Sequence, residues 1–364
     1  MKNKLKSSKG ITLIVLAVTV IVILILAGVS IRTIMNPSGI IKKSEKEKNE
    51  VEEGIEVSKK NQNIILEKLS KEKTGISKPY IPEGFIEDKN TNLDTGLVIK
   101  DPKGNEYVWI EVPNDGTGPD YFNVNGPKDY QNIEQAIKKY TGEYKFEEND
   151  EDKWYKDNTK GWFSDETEYN IAKNNMLKSV FVNGGFYIGR YEAGIGDISE
   201  IPVSKPNVDS YNNVTRTQAK VLAEKLSTAE YINTLMFGMQ WDLVLKYLET
   251  KGVAPEDLKV DSTSWGNYLN SEIKNNEGII KNKNKSKLLK TGVSENTKKQ
   301  NIYDLAGNVW EWTLEYNCFP ERPCSARGGF YNQNGLYNSA FSRKHVYKTG
   351  ASKEIGFRFA LYKN

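Results

Sequence analysis

Apolar residues are distributed along this chain in three regimes. From Ile11 to Val29 the run "ITLIVLAVTVIVILILAGV" has only Thr12 and Thr19 as polar side chains. As a helix it would rise 1.5 Å per residue, enough to cross a hydrocarbon core of about 30 Å. From 40 to 73 charges of both signs mix around a thin stripe of Val51, Ile55, Ile65 and Leu69. Opposite charges recur four apart at Lys43/Glu47, Lys46/Glu50, Glu56/Lys60 and Glu67/Lys71. That spacing supports a solvated helical stalk, and the heptads are too irregular to define a coiled coil. Gly75 and Pro79 then end the helix, which places a domain boundary near 77.

Beyond that boundary the pattern shortens. "GLVIKDPKGNEYVWIEVP" predicts strands over 97–100 and 106–112 around an Asp-Pro-Lys-Gly-Asn turn, and "GGFYIGRYEA" predicts another. Residues 114–165 are polar and rich in Gly, Asn and Asp, predicting an irregular surface insertion with one short helix near 131–140. Thr215 and Gln218 make a capping-box pattern ahead of Ala219, Leu222, Ala223 and Leu226 at core-facing spacing. Trp241, Val244, Leu245 and Leu248 repeat that helical stripe. Residues 268–300 predict a long polar loop, and "IGFRFALY" a half-buried strand with Phe357, Phe359 and Leu361 on one face. The expected fold class of the head is α+β.

Composition removes several functions. Lys+Arg 51 against Asp+Glu 48 gives a net charge of +3, so no global field points to nucleic acid. His345 is the single histidine, and Cys318 and Cys324 are the two cysteines. One imidazole cannot build a two-His iron site or an H-E-x-x-H zinc site, and two thiols alone cannot hold a structural zinc. A Ser/His/Asp triad would need His345, and no local signature marks its serine.

The start, "KGITLIVL", resembles a type IV prepilin leader with its Gly-(Phe/Ile)-Thr-Leu-Ile pattern. The resemblance implies a leader over 1–10, cut between Gly10 and Ile11, and a transmembrane helix over 11–31. A charged stem over 32–76 and a head over 77–364, held outside the cell by a single pass, complete the organisation. A secretory signal is the competing reading, but its apolar region is shorter, about 7–15 residues. In that family glutamate is the fifth mature residue, where it pairs with a neighbour's N-terminal amine. Here Val15 occupies the position, which weighs against pilus-like assembly and towards a lone anchor.

Four segments, "YVWIEV", "FYIGRYEAG", "NIYDLAGNVWEWT" and "RGGFYNQNGLYNS…IGFRFA", resemble the formylglycine-generating enzyme (sulfatase-modifying factor) family, a variant of the C-type lectin fold. The resemblance implies a calcium ion at Asp304, Gly307, Val309 and Glu311, a hard-oxygen set of carboxylates and carbonyls. The alternative is that both acids cap backbone amides beside Trp310 and Trp312. In the enzyme, two cysteines after "RGG" bind copper and oxidise a substrate cysteine. Those positions fall on Gln333 and Asn338, and neither amide can act as the thiolate. Iron-dependent members use several histidines. The expectation is a head that uses neither copper nor iron and is not an enzyme. Cys318 and Cys324, in "CFPERPC", are expected as a disulfide outside the cell or as two free thiols.

Residues 330–348 display Tyr, Asn, Ser, Arg and His, a mixture suited to recognition. Tyr331, Asn332, Asn334, Tyr337, Asn338, Arg343, His345 and Tyr347 are therefore the candidate ligand-binding residues. Their partner would be a glycan, a protein or a surface polymer, and an ordinary polar loop is the plain alternative. The Asn-rich composition also fits codon diversification by a retroelement, although Asn is abundant throughout the chain. The function expected is that of a membrane-anchored extracellular ligand-binding protein. An enzyme modifying exported proteins and a structural minor pseudopilin are its rivals.

Overall fold

In "EYVWIE", alternate side chains face opposite ways and all but the last are buried, because the strand they form is covered on both faces. The computed structural model describes residues 79–145, 151–198 and 200–364. Chain contacts separate Met1–Thr74 from Gly75–Asn364, and every described residue belongs to the second unit. The leader, the 11–31 span and the stem lie outside the described residues. Among the described residues, no helix is long and apolar enough to cross a membrane.

The head is mixed α/β. Strands β1 (Ile86–Glu87), β2 (Val98–Lys100), β3 (Glu106–Glu111) and β4 (Gly185–Gly189) form an antiparallel meander. Its register sets Trp109 opposite Tyr187, with ring centroids 4.8 Å apart. The sheet continues through β16 (Phe359–Lys363) to β7 (Tyr231–Leu235), in the order β1-β2-β3-β4-β16-β7. A second sheet, β14-β13-β12-β15, joins Arg343–Val346, Cys324–Arg327, Trp310–Tyr316 and Ile355–Phe357. Small hairpins make up the rest: β5 (Gly194–Ile195) with β6 (Pro202–Val203), β8 (Ile273–Asn275) with β9 (Gly278–Lys281), and β10 (Lys298–Lys299) with β11 (Ile302–Tyr303).

Among the described residues, five helices dress these sheets. α1 (Tyr130–Tyr140) buries Ile133, Ala136 and Ile137. α2 (Glu166–Asn183) lies on β4 and β16. Asp165 caps its start by accepting the Glu168 amide at 2.9 Å, and Gly184 ends it in the left-handed conformation, φ 72°. α3 (Arg216–Glu224) carries the predicted capping box, with both Thr215 and Gln218 bonds formed. α4 (Gly238–Thr250) packs against β3 of one sheet and β12 of the other. α5 (Pro255–Lys259) is a single turn and a half with Leu258 buried.

Where expectation and structure part, the reasons are local. The sequence stripe on α4 shows one apolar face, but Met239, Leu243 and Tyr247 are buried too, because the helix is enclosed between sheets. α2 gave no clear stripe: Tyr169, Met176, Leu177 and Val180 are buried while Ile171 and Val182 are exposed, so apolar residues lie all around it. The 268–300 loop contains the β8–β9 hairpin and a 3-10 turn over Glu295–Thr297. "IGFRFALY" is not one strand but two. Phe357 ends β15 in the four-stranded sheet and Phe359 begins β16 in the six-stranded one.

The capping box gives a direct check. Thr215→Ala removes the acceptor for the Gln218 amide, and the expected cost is about 1 kcal/mol, read as a lower denaturation midpoint with unchanged m-value.

Candidate functional site

Arg358, at the crossover between the sheets, is fully buried. Its Nε donates to both oxygens of Glu311 on β12, at 3.1 and 3.0 Å, and a second nitrogen also bonds Glu311. The remaining donors reach the carbonyls of Gly189 at 3.0 Å and Tyr303 at 2.8 Å. One side chain thus joins the end of β4, β11 and β12. Beside it, Glu192 accepts from Ser210 Oγ at 2.8 Å, Asn308 Nδ2 at 2.6 Å and the Val309 amide at 3.1 Å. Burial, and then the nearby Asp304 and Glu311 charges, push the Glu192 carboxyl well above the usual carboxylate range.

This is where the four residues of the implied calcium site fall. Asp304 is buried at φ 57° and accepts the Gly292 amide at 2.7 Å. Gly307, at φ 75°, donates its amide to the Gly328 carbonyl at 2.8 Å, and a Cβ there would stand 2.4 Å from the Asn267 carbonyl oxygen. Both Glu311 oxygens accept from the Arg358 guanidinium, so that carboxylate is already engaged by a protein cation. Among the described residues no group of three or more His, Cys, Asp or Glu side chains is arranged to hold a metal. The stretch between the tryptophans is a structural joint.

The expected disulfide is absent, and both cysteines are free. Cys324 opens β13, buried, with its Sγ 3.6 Å from Tyr155 Oη, while Cys318 sits half-buried in the turn after β12. Strand pairing of Cys324 with Tyr316 and Val346 directs its side chain inward, away from the turn.

A second buried charge cluster underlies the start of α4. Arg327 bonds Asp242 at 2.8 Å and Glu315 at 3.2 Å, and Arg343 bonds Glu315 at 2.9 Å and Asp242 at 3.1 Å. Arg343, expected on the ligand surface, is instead enclosed, with its side chain 1% exposed. Gly238 is required here because a Cβ would lie 2.7 Å from the Glu315 carboxyl carbon. Asp152 caps the helix by accepting the Gly238 and Met239 amides at 2.7 and 2.8 Å. A cavity of about 30 Å³, the size of one water, lies among Thr141, Asp152, Asp242 and Glu315. Burial, then the Glu315 charge, raises Asp152 to about 7. Burial also opposes charge on Glu315, but Arg343 and Arg327 outweigh it and hold that carboxyl below its ordinary value. Nothing in the local sequence marks this cluster, since its members come from five separate segments.

The rest of the predicted ligand set divides in two. In the 330–338 loop, Asn334 Oδ1 accepts from Asn270 Nδ2 at 2.9 Å and from the Leu336 amide at 2.9 Å, and Asn338 Nδ2 donates to the Asn334 carbonyl at 3.2 Å. These amides build the loop. Gln333 turns its buried Oε1 to where no protein donor meets it. Asn332 is exposed, Tyr331 half-buried, Leu336 42% exposed and Tyr337 76% exposed. His345 and Tyr347 lie elsewhere, against residues 319–322. The Phe319 and His345 rings are 5.1 Å apart, and Arg322 stacks 4.9 Å over Tyr347.

Residues 249–363 match the model of the sulfatase-modifying factor enzyme 1-like domain. That stretch runs from the last turn of α4 through both sheets' C-terminal strands. Among curated proteins none matches the chain. Among solved structures the chain is similar to CarF, at 15% identity and TM-score 0.36 over 50% of this chain and 87% of that one. It is also similar to Treponema denticola variable protein 1 (16%, 0.31, 49% and 84%) and to PvdO from Pseudomonas aeruginosa (15%, 0.33, 50% and 81%).

Two outcomes test the buried clusters. Arg358→Met strands Glu311 without its counter-ion, so a loss of about 3–5 kcal/mol is expected in chemical denaturation, with no rescue by added calcium. For Asp152, the folded value lies above the unfolded one, about 3.8. The native chain therefore holds an extra proton between about pH 4 and pH 7, and this group's contribution is lost as pH rises through that window. Asp152→Asn should flatten the decline: relative to the parent, it is expected to be more stable at about pH 8 than at about pH 5.

Proposed function

We propose that this chain is a ligand-binding protein whose head presents the 330–338 loop as a recognition surface, on a catalytically silent scaffold of C-type lectin-like, formylglycine-generating-enzyme type. The observation that carries the reading is the division of labour within the loop. Asn270, Asn334 and Asn338 hold its backbone by side-chain hydrogen bonds, while Tyr337 stands 76% exposed beside Leu336 and Asn332. Rigid amphipathic aromatics on a pre-organised loop lose little entropy on binding. The ligand is a glycan, a protein or a surface polymer.

Catalytic silence is supported by the side chains at the family's copper positions. Gln333 and Asn338 supply amides, one buried and one bonded back to the loop, where thiolates would be needed. Cys324 faces Tyr155 inside the core. In this reading residues 11–31 hold the protein in the cell membrane with the head outside, after a prepilin-like leader ending at Gly10. A formylglycine-generating-enzyme-like oxidase acting on exported proteins is equally compatible with the family match at 249–363.

The test presents the purified chain to glycan and surface-protein arrays beside a Tyr331→Ala, Leu336→Ser, Tyr337→Ala variant. Specific binding that falls by about tenfold or more in the variant is the expected result. Copper-dependent oxidation of a cysteine peptide by the purified chain, without specific array binding, would replace this reading with the enzyme.

A further inference from the structure

The turn after β12 and the end of β14 enclose an open cleft of about 580 Å³, lined by Phe319, Pro320, Glu321, Arg322 and His345. That volume falls within the range of small-ligand sites. The turn is stiff. The Arg322 amide donates to the Phe319 carbonyl at 2.9 Å, and the Phe319 amide to Asn317 Oδ1 at 2.9 Å. The Asn317 amide closes it on the Pro323 carbonyl at 3.1 Å, and Pro320 restricts the backbone within. The β13–β14 ladder, pairing Ser325 with His345 and Cys324 with Val346, brings the end of β14 alongside.

The chemistry of the cleft is uneven in an informative way. Phe319 is 51% exposed within the cleft, while Tyr347, 48% exposed, stands outside its lining. Arg322 is held over the Tyr347 ring at 4.9 Å and donates to its hydroxyl at 3.3 Å. Among the described residues its guanidinium pairs with no carboxylate, although Glu321 is its neighbour in sequence. A stacked arginine keeps most of its donors in a fixed plane, and that fork matches a carboxylate. The Phe319 and His345 rings, tilted 40° to each other, make a broad floor rather than a slot. The Glu321 carboxylate on the same lip offers hydroxyl groups an acceptor.

We infer that this cleft binds a sugar bearing a carboxylate, with Arg322, held by Tyr347, pairing the carboxylate, Phe319 covering the ring face, and Glu321 accepting from ring hydroxyls. A neutral sugar leaves the arginine unmatched, and a flat aromatic acid leaves Glu321 without a donor. This inference does not rest on the 330–338 loop, which packs on Thr263 and Asn270 rather than on the 319–322 turn.

The experiment titrates the full chain with galacturonate oligomers and N-acetylneuraminate, followed by calorimetry and by chemical-shift changes. Methyl-esterified galacturonate oligomers, galactose oligomers and glutamate serve as comparisons. Binding of an acidic sugar, weakened about tenfold or more by esterification, is expected. Arg322→Gln should erase the preference for the acid form, and Phe319→Ala should weaken acid and neutral sugars alike. Both variants alter exposed side chains, and their thermal melting would be compared with the parent. The Tyr331→Ala, Leu336→Ser, Tyr337→Ala variant should bind the acidic sugar as the parent does. No binding, equal binding of acid and ester, equal binding of glutamate, or an unchanged preference in Arg322→Gln would each overturn the assignment.

Discussion

Two sheets that share one continuous segment of chain need something to fix the angle between them, and in this head that is the Arg358–Glu311 pair. The guanidinium stands at the single residue between β15 and β16 and answers three other segments with all its donors. Burying a guanidinium is costly, and the cost is offset only when every donor finds an acceptor of good geometry. Here three bonds run to Glu311 and one each to the Gly189 and Tyr303 carbonyls. Glu311 is held by its counter-ion, Asn308 bridges towards Glu192, and Tyr303 is held through its carbonyl. The segment "YDLAGNVWEW" thus supplies the carboxylate and the carbonyl that hold this joint.

How much of this was legible in the sequence depends on how local each cause is. The Thr215/Gln218 box and the 97–100 and 106–112 strands could be read because cap, turn and periodicity lie within a few residues. α2 could not, because a helix covered on several sides has no single stripe. The C-terminal split could not either. Alternation of Phe357, Phe359 and Leu361 is the same whether one strand continues or two meet at Arg358, and only the tertiary partner of that arginine decides.

The surface residues teach the same lesson from the other side. Composition grouped Tyr, Asn, Arg and His of 330–348 as one recognition set. Folding sorts them by what each can reach: Asn334 and Asn338 turn into the loop, Arg343 into the acid cluster, and His345 towards Phe319. Arg322, outside that set, became visible only through its position over Tyr347. A residue's chemistry could be anticipated from its type, but not the neighbour on which it is spent.

The strand order of the larger sheet also bears on how the head assembles. β16, the last strand in the order of the chain, lies between β4 and β7. Until it docks, the β1–β4 meander ends on an unpaired edge and β7 has no partner in the sheet. Such an edge is a template for pairing with other chains, and distant pairings close slowly. The six-stranded sheet is thus closed only by the last strand of the chain, and β16 is the piece whose loss would open both of these edges at once.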